Sequence, residues 1–194
     1  MENIIENFEL HELKTPKFIE ARLVTYKQNS IPKSWEVVQA HDSVAILIYH
    51  KEHNSFVLVK QFRPAVYMGN GNGLTVELCA GIVDKDLSLV EIASEEITEE
   101  CGYLVPIKNI ERITEVNSAV GFAGSKQTLF YTEIDESMRV NQGGGVDTEL
   151  IEVVEIPTNR VREFIYDETI AKTTGLLFAL MWWIDNKNLS PKKY

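Results

Sequence analysis

The sequence has few of the features that would assign it to a secreted or membrane class. It contains two cysteines, too few for a disulfide framework. Its longest apolar run, residues 176–184, is about half the length of a membrane span. The first ten residues lack the basic and then apolar pattern of a signal peptide. We therefore expect a cytoplasmic protein with no membrane partner, in which Cys79 and Cys101 are buried, reduced thiols.

Positive charge is also scarce. The 194 residues include 19 Lys and Arg against 29 Asp and Glu, a formal net charge of −10. A surface that tracks a phosphate backbone usually carries a basic stripe, so this composition argues against nucleic acid as a partner. A small phosphorylated substrate remains compatible, because an acidic cluster can hold Mg²⁺, which then supplies the positive charge. A solvated acidic surface accounts for most of the acidic residues.

Strand and helix patterns are mixed along the chain. Alternating and β-branched segments predict strands at residues 18–28, 34–41, 43–50, 55–62, 74–79, 110–117, 127–134 and 150–156. Helical periodicity predicts helices from Ser88 to Gly102 and over about 158–166 and 168–187. Residues 69–73, GNGNG, are predicted as a loop. This pattern favours an α+β fold or a layered α/β/α sandwich.

The most informative segment is the helix that begins at Ser88. Ser88 and Glu91 have the spacing of a capping box. Glu96, Glu99 and Glu100 are three or four residues apart, so helical geometry places them on one face. Three like charges repel one another unless a cation lies among them, and oxygen ligands suit Mg²⁺. A solvated acidic helix face is the alternative, and spacing alone does not exclude it.

Residues 81–103 resemble the Nudix box, G-x5-E-x7-R-E-U-x-E-E-x-G-U, in which x is any residue and U a bulky apolar one. The resemblance implies a Nudix-type α/β/α sandwich with a mixed sheet and an N-terminal β extension. It also implies metal ligation by Glu96 and Glu100, support from Glu99 and a contribution from the Ala80 carbonyl. The expected cofactor is Mg²⁺, with Mn²⁺ as an alternative. The matching residues are Gly81, Glu96, Ile97, Glu99, Glu100, Gly102 and Tyr103.

Two positions depart from the box. Leu87 stands where the box has its first glutamate, and Glu95 stands where it has arginine. In the family that arginine mainly orients the glutamates of the helix by charge pairing, whereas an anion there adds repulsion. Because this chain lacks both the glutamate of position 87 and the arginine of position 95, neither is left as an unpaired buried charge. These departures are the basis of a competing hypothesis, a catalytically weak nucleotide-binding module.

The similarity extends outside the box, over most of residues 18–180, to the UDP-sugar pyrophosphatase branch of the Nudix superfamily and its close kin, the ADP-ribose pyrophosphatases. It implies hydrolysis of a UDP-sugar such as UDP-glucose to UMP and a sugar 1-phosphate. ADP-ribose, giving AMP and ribose 5-phosphate, is the alternative substrate. The segments that carry the similarity are KSWEVVQAHDSV (33–44), LVKQFRPAVY (58–67), LTVELCAGIVD (74–84), GSKQTLFYTE (124–133) and GGG…ELIEVV (143–154).

The same resemblance implies roles for residues outside the box. Arg63 is expected to contact a substrate phosphate, and the alternative is an ion pair with a carboxylate. Glu77 is expected to be a further acidic group near the metals. Trp35 matches a position used for stacking on the base, although a core tryptophan is an equal alternative. Glu149 matches a late carboxylate that binds metal or activates water, and Asp147 competes for that role. Either acid could instead be an ordinary loop residue.

The predicted domain organisation has two parts. Residues 1–45 form an N-terminal β extension, and residues 46–194 form the Nudix hydrolase domain. In the relatives that this chain resembles, such an extension builds a dimer and completes the substrate site across it. We therefore expect a homodimer in which Trp35 serves the site of the partner subunit.

Overall fold

The computed structural model describes residues 4–187. Residues 1–3 and 188–194, the outer ends of the two predicted parts, lie outside the described residues. No helix within residues 4–187 has the length and apolar character needed to span a bilayer. The strands are β1 (Ile19–Gln28), β2 (Ile31–Ala40), β3 (Ser43–His50), β4 (Ser55–Phe62), β5 (Leu74–Glu77), β6 (Cys79–Ile82), β7 (Glu111–Asn117), β8 (Lys126–Ile134), β9 (Ile151–Pro157) and β10 (Ala171–Lys172). The helices are α1 (Pro64–Asn70), α2 (Leu89–Glu96), α3 (Val161–Tyr166) and α4 (Thr174–Asn186).

Strand β3 pairs with three other strands of the main sheet. It pairs with β8 in parallel along its whole length and with β4 in antiparallel fashion at its His50 end. Its Ser43 end pairs instead with β6, while β4 continues beside β5 and β9. Strands β3 and β4 therefore diverge toward the Ser43 end of β3. The sheet is mixed, since β8 is parallel to β3 and β10 is parallel to β5, whereas the other pairs, including β7 with β8, are antiparallel.

Helices cover both faces of this sheet. Side chains alternate between the faces of a strand. In β3, Val44, Ile46 and Ile48 belong to the core that includes Ile92 and Ile97 of the helix following β6. The intervening residues Ala45 and Leu47 belong to the core that includes Leu176, Ala179 and Leu180 of α4. Burial on both faces explains why β3 is almost continuously apolar. This arrangement is the predicted α/β/α sandwich.

Most predicted elements are confirmed to within a few residues, and α1 is one that the sequence analysis missed. It begins at Pro64, whose ring fixes φ at a value suited to the first helical turn. It ends at Gly71, which has a φ of +69° and donates its N–H to the Tyr67 carbonyl. Seven residues are too few to show a clear helical period, so local chemistry rather than patterning sets this helix.

Two other predictions were wrong in their bounds. The strand predicted at 74–79 is divided into β5 and β6, because the chain passes at Leu78 from pairing with β4 to pairing with β3. The helix predicted at 168–187 begins only at Thr174. Residues before it form β10, and the Thr173 hydroxyl caps the helix by accepting the Leu176 N–H.

The N-terminal extension is a long hairpin that stands apart from the main sheet. Its strands β1 and β2 pair with each other in full register. The hairpin is hydrogen bonded to the body through a loop near residue 121, since Val38 donates its N–H to the Phe122 carbonyl and Trp35 donates its Nε1–H to the Gly121 carbonyl, each at 2.7 Å. Strand β3 starts at Ser43, so the proposed boundary after residue 45 falls inside this strand.

Candidate active site

The site is built where β6 meets the helix that follows it. The Glu96 carboxylate lies directly on the backbone of Gly81, and an ideal β-carbon at position 81 would stand 2.0 Å from Glu96 Oε1. Only a glycine accommodates this approach. The two residues occupy the first and middle positions of the Nudix-like motif, so their spacing in sequence corresponds to direct contact in space.

Glu100 is hydrogen bonded to Ala80, the residue before Gly81. Its Oε2 accepts the backbone N–H of Ala80 at 2.9 Å, and the residue is only 5% exposed. Burial raises the pKa of Glu100 to about 8, against the opposing effect of the Ala80 N–H. Burial and the nearby Glu99 charge raise the pKa of Glu96 to about 7. The surroundings thus stabilise the ionised forms of both carboxylates only weakly.

The carboxylates of Glu96 and Glu100 are suitable ligands for a divalent cation. Buried carboxylates that repel each other are costly to ionise unless a positive charge is supplied. Glu96 and Glu100 approach the same backbone segment, residues 80–81, and line the same cavity. Carboxylate oxygens, joined by a backbone carbonyl such as that of Ala80, are the ligands preferred by hard ions such as Mg²⁺ and Mn²⁺. The donor set is therefore appropriate for the cofactor that the sequence predicts.

The helix changes from α-helical to π-helical geometry at the site. Helix α2 begins at the Ser88 cap, where the Glu91 carboxylate accepts the Ser88 N–H at 2.8 Å, as the capping box predicts. From Ile97 to Cys101 the chain continues as a π-helical turn, and Gly102 ends it with a φ of +83°. A π turn winds less per residue than an α-helix. Glu99 consequently faces a neighbouring groove and does not line the cavity that holds Glu96 and Glu100.

The late glycine-rich loop is fastened to this turn by its backbone. Gly144 and Gly145 donate their N–H groups to the carbonyls of Glu100 and Glu99, at 2.9 and 3.0 Å. Gly143 packs so closely that a β-carbon there would lie 2.3 Å from the Glu100 carbonyl oxygen. All three glycines have positive φ. The loop that carries the late carboxylates is therefore held against the helix that carries Glu96, Glu99 and Glu100.

The two candidate late carboxylates are placed differently. Glu149 lines the cavity with Glu96 and Glu100, and its Oε2 accepts the Val146 N–H at 2.9 Å. Its charge contributes to the raised pKa values of both helix carboxylates. Asp147 occupies an exposed turn with a φ of +52° and does not line that cavity. The geometry favours Glu149 as the acid that acts in the site.

Arg63 and Glu77 form a bidentate ion pair on the wall of the cavity. Arg63 Nε and Nη2 donate to the two carboxylate oxygens of Glu77 at 2.8 and 2.7 Å. Burial opposes ionisation of Glu77, but the Arg63 guanidinium and the Thr75 hydroxyl outweigh it and hold its pKa below the usual value. Arg63 thus makes the carboxylate pairing that was the alternative to phosphate contact, yet it still lines the cavity. Its Nη1 makes no hydrogen bond among the described residues.

The cavity itself has a volume of about 560 Å³. A second cavity of about 480 Å³ adjoins it and shares Gln61 and Glu149 with it. Trp35 lines neither, because it lies farther along the N-terminal hairpin. The sequence analysis missed several polar lining residues that stand at strand ends or, in one case, in the turn between β2 and β3. They are His41, Ser43, Gln61 and Gln127.

The two departures from the motif are explained in part by one contact. Glu95, at the arginine position, forms an ion pair with Lys85 of the preceding loop, with Nζ and Oε2 2.7 Å apart. The side chains are 43% and 44% exposed. Leu87 is also exposed, at 39%. The anion at position 95 therefore has a cationic partner, which a loop residue rather than the helix supplies.

A second cluster of potential ligands lies at the opposite end of β3. His50 and His53 stack at 3.7 Å, and His50 Nε2 is 3.1 Å from Glu136 Oε1. Arg139 pairs with Glu136 and, with His50, lowers its pKa to about 2. Because Arg139 already neutralises this carboxylate, the cluster is a closed polar network, in contrast to the uncompensated pair of Glu96 and Glu100.

Known proteins are similar to this chain over most of its length. No family model matches the sequence. The uridine diphosphate glucose pyrophosphatase NUDT14 of Bos taurus is 40% identical over 187 residues, covering 81% of this chain and 84% of the relative. The protein of the same name from Mus musculus is 38% identical over the same shares. A GDP-mannose pyrophosphatase from Cronobacter sakazakii is 39% identical over 145 residues, which cover 73% and 74% of the two chains. Identity at this level over most of the sequence shows common descent, and the chain therefore belongs to the Nudix hydrolase family of enzymes.

Proposed function

We propose that this protein hydrolyses the diphosphate bond of a nucleoside diphosphate sugar, with UDP-glucose as its substrate and Mg²⁺ as its cofactor. The observation that carries the proposal is the placement of Glu96 and Glu100 against residues 80–81, in the cavity that Arg63 also lines. The printed names of the relatives, which specify UDP-glucose and GDP-mannose, support the substrate class. The two free, buried cysteines suit the reducing cytoplasm, where we place the enzyme.

The metal-binding role falls to Glu96 and Glu100, together with the Ala80 carbonyl. A divalent ion held by these groups would offset the negative charge of the diphosphate and would make water easier to deprotonate. Glu99 supports the site from the adjoining groove and through the Gly145 N–H that its carbonyl accepts. Mn²⁺ has the same preference for oxygen ligands and would serve in place of Mg²⁺.

The remaining residues bind the substrate and move its protons. Glu77 fixes Arg63 through two hydrogen bonds, which leaves Nη1 to donate to a phosphate oxygen. Glu149 accepts a proton from the attacking water while the oxygen of that water forms the new bond to phosphorus. The bridging P–O bond breaks, and its electron pair leaves with the sugar phosphate. UMP and glucose 1-phosphate are the products.

Hydrolysis assays with UDP-glucose, GDP-mannose and ADP-ribose at equal Mg²⁺ test the proposal. We expect turnover of UDP-glucose to exceed that of ADP-ribose, and we expect Glu100→Gln to abolish it. Preference for GDP-mannose would keep the substrate class and change the base. A wild-type protein that binds nucleotides without turning over any of the three would instead establish the weak binding module. Unchanged activity in Glu100→Gln would refute the metal-site assignment.

We also propose a homodimer formed through the N-terminal hairpin. Strands β1 and β2 expose several large apolar side chains, among them Leu23 at 68%, Ile31 at 61% and Trp35 at 58%. Isolated two-stranded hairpins are marginal, and exposed apolar surface on one indicates a partner. Because Trp35 lies outside the cavity of its own chain, its stacking role requires the cavity of the partner subunit.

Mixing two inactive variants tests this arrangement. Trp35→Ala keeps its own metal site, and Glu100→Gln keeps its own tryptophan. If Trp35 acts across the dimer, a heterodimer has one complete site, and we expect activity to return after the variants are mixed and exchanged. No recovery, in a mixture that light scattering shows to be dimeric, would place Trp35 outside the partner's site. A monomeric wild-type protein would refute the dimer itself.

A further inference from the structure

The helix that carries the metal-binding glutamates has no positive charge of its own. Residues 88–101 contain five glutamates and neither lysine nor arginine. Glu95, Glu96 and Glu99 follow one another closely around the start of the π turn. The salt bridge between Lys85 and Glu95 is the contact that brings a cation to this group of acids. Lys85 comes from the loop between β6 and α2, outside the helix.

We propose that Lys85 is a positioning residue of the metal site, which holds the glutamate helix in its binding arrangement by neutralising Glu95. The inference rests on the metal-binding role proposed above for Glu96 and Glu100. Lys85 is not a metal ligand and does not line the cavity. Its contribution is to the placement of Glu96, whose neighbours Glu95 and Glu99 would otherwise both repel it.

The loop around Lys85 is fixed at both ends. Val83 donates its N–H to the Asp42 carbonyl at 2.8 Å, and Ser88 is held by the Glu91 carboxylate. Lys85 therefore projects from a short segment whose ends cannot move independently of β6 and α2. Its Nζ lies 2.7 Å from Glu95 Oε2 and also feels the charges of Glu99 and Glu96. The fixed ends of the loop therefore keep the backbone of Lys85 within reach of Glu95.

The contact is poorly suited to a role in overall stability. Both side chains are nearly half exposed, and ion pairs at such sites contribute little to folding. A small change at this pair can still matter for Glu96, because the affinity of a metal depends on how its ligands are held and the Glu96 carboxylate lies directly against Gly81. The role of Lys85 should therefore be visible in metal affinity and almost invisible in thermal stability.

Electrostatics gives the test a definite sign. A lysine that acted only as a nearby positive charge would repel a divalent cation, so its removal would tighten metal binding. A lysine that positions the ligands has the opposite effect, because its removal leaves Glu95 unpaired and disorders Glu96. Direct measurement of Mn²⁺ binding by calorimetry, without substrate, separates the two.

The experiment compares Lys85→Met, Lys85→Arg and the exchange Lys85→Glu/Glu95→Arg with the full-length wild type. We expect Lys85→Met to weaken Mn²⁺ binding about tenfold, as loss of a residue that orients metal ligands does. Lys85→Arg should stay within about twofold of wild type, since it keeps the exposed ion pair. The exchange should recover most of the affinity, because it restores the pair with reversed charges. Melting temperatures should be similar throughout.

Lys51→Met is the matched control. Lys51 pairs with Asp135 at 3.0 Å and is 44% exposed, but it lies beyond the opposite end of β3. It should bind Mn²⁺ like the wild type. Unchanged or tighter binding in Lys85→Met would overturn the positioning role alone. A wild type that fails to bind Mn²⁺ would overturn the metal site and with it this inference, so the two failures are distinct.

Discussion

The carboxylate of Glu96 lies against the backbone of Gly81, where an ideal β-carbon would stand 2.0 Å from Glu96 Oε1. This contact joins the strand and the helix of the candidate site and explains why a glycine begins the motif. Glu100 reaches the adjacent residue through the Ala80 N–H. The segment at residues 80–81 is thus a backbone platform against which both glutamates are placed.

The first prediction concerns this contact. In Gly81→Ala the new β-carbon would displace the Glu96 carboxylate, which is the end of a flexible side chain and can move without unfolding the protein. We expect kcat/KM for UDP-glucose to fall by about 100-fold, the upper range for disturbed metal ligation, with little change in melting temperature. Gly69→Ala is the control, since position 69 has open space around it. Equal activity in the two variants would contradict the platform.

The second prediction is a pH dependence of the metal-free protein. The pKa values of Glu96 and Glu100 are raised to about 7 and about 8, so the folded protein binds more protons than the unfolded chain above pH ~4.5. Stability should therefore fall as the pH rises from about 5 to about 8. Mg²⁺ should reverse this trend, because it favours the ionised carboxylates, and should stabilise more strongly at pH 8 than at pH 6.

Thermal melts in EDTA and in Mg²⁺ across this range measure the effect. Glu100→Gln provides the control, because an amide does not titrate. Its metal-free melting temperature should depend less on pH than that of the wild type, and Mg²⁺ should have little effect on it. Parallel pH profiles for the variant and the wild type would show that other groups are responsible.

The third prediction separates stability from function at the ion pair between Arg63 and Glu77. The Glu77 side chain is 9% exposed and the Arg63 side chain 46%. Arg63→Met leaves a buried carboxylate without its main partner and should destabilise the protein by about 2 kcal/mol, less than a fully buried pair because of the exposed arginine. Adding Glu77→Gln should restore part of the stability but none of the activity.

Urea denaturation and UDP-glucose assays on the single and double variants give both readouts. Recovery of activity in the double variant would mean that Arg63 serves only to neutralise Glu77. Loss of activity in both, with stability recovered in the double variant, is the result expected if Arg63 donates to the substrate diphosphate.

Local interactions explain which parts of this structure follow from the sequence. The capping box at Ser88 and Glu91 lies within one helical turn and was predicted correctly. The strands around the Lys51–Asn54 turn were predicted to the residue, because their apolar character and turn residues are contiguous. The contact between Lys85 and Glu95, which are 10 residues apart, was not predicted. The pairing of Lys85 with Glu95 depends on the path of a loop, which periodicity does not describe.

The glutamate helix shows the same limit on a smaller scale. A regular α-helix places Glu96, Glu99 and Glu100 together, and that geometry was the basis of the sequence analysis. The π turn from Ile97 to Cys101 turns Glu99 toward the groove that Lys85 lines. The backbone of this turn is fastened by the glycine-rich loop, more than 40 positions along the chain from Glu100 at Gly144. Tertiary contacts of that kind have no local signature.

The last prediction distinguishes the two late acids. Glu149 lines the cavity, whereas Asp147 lies in an exposed turn outside it. A general base contributes roughly 10²–10⁴-fold, so Glu149→Gln should lower kcat by about that factor, while Asp147→Asn should stay near wild type. Glutamine keeps an oxygen that can accept the Val146 N–H, so the loop should retain its conformation. If Asp147→Asn instead shows the larger loss, the loop must rearrange when substrate binds, and the acid that faces the cavity here is not the one that acts on water.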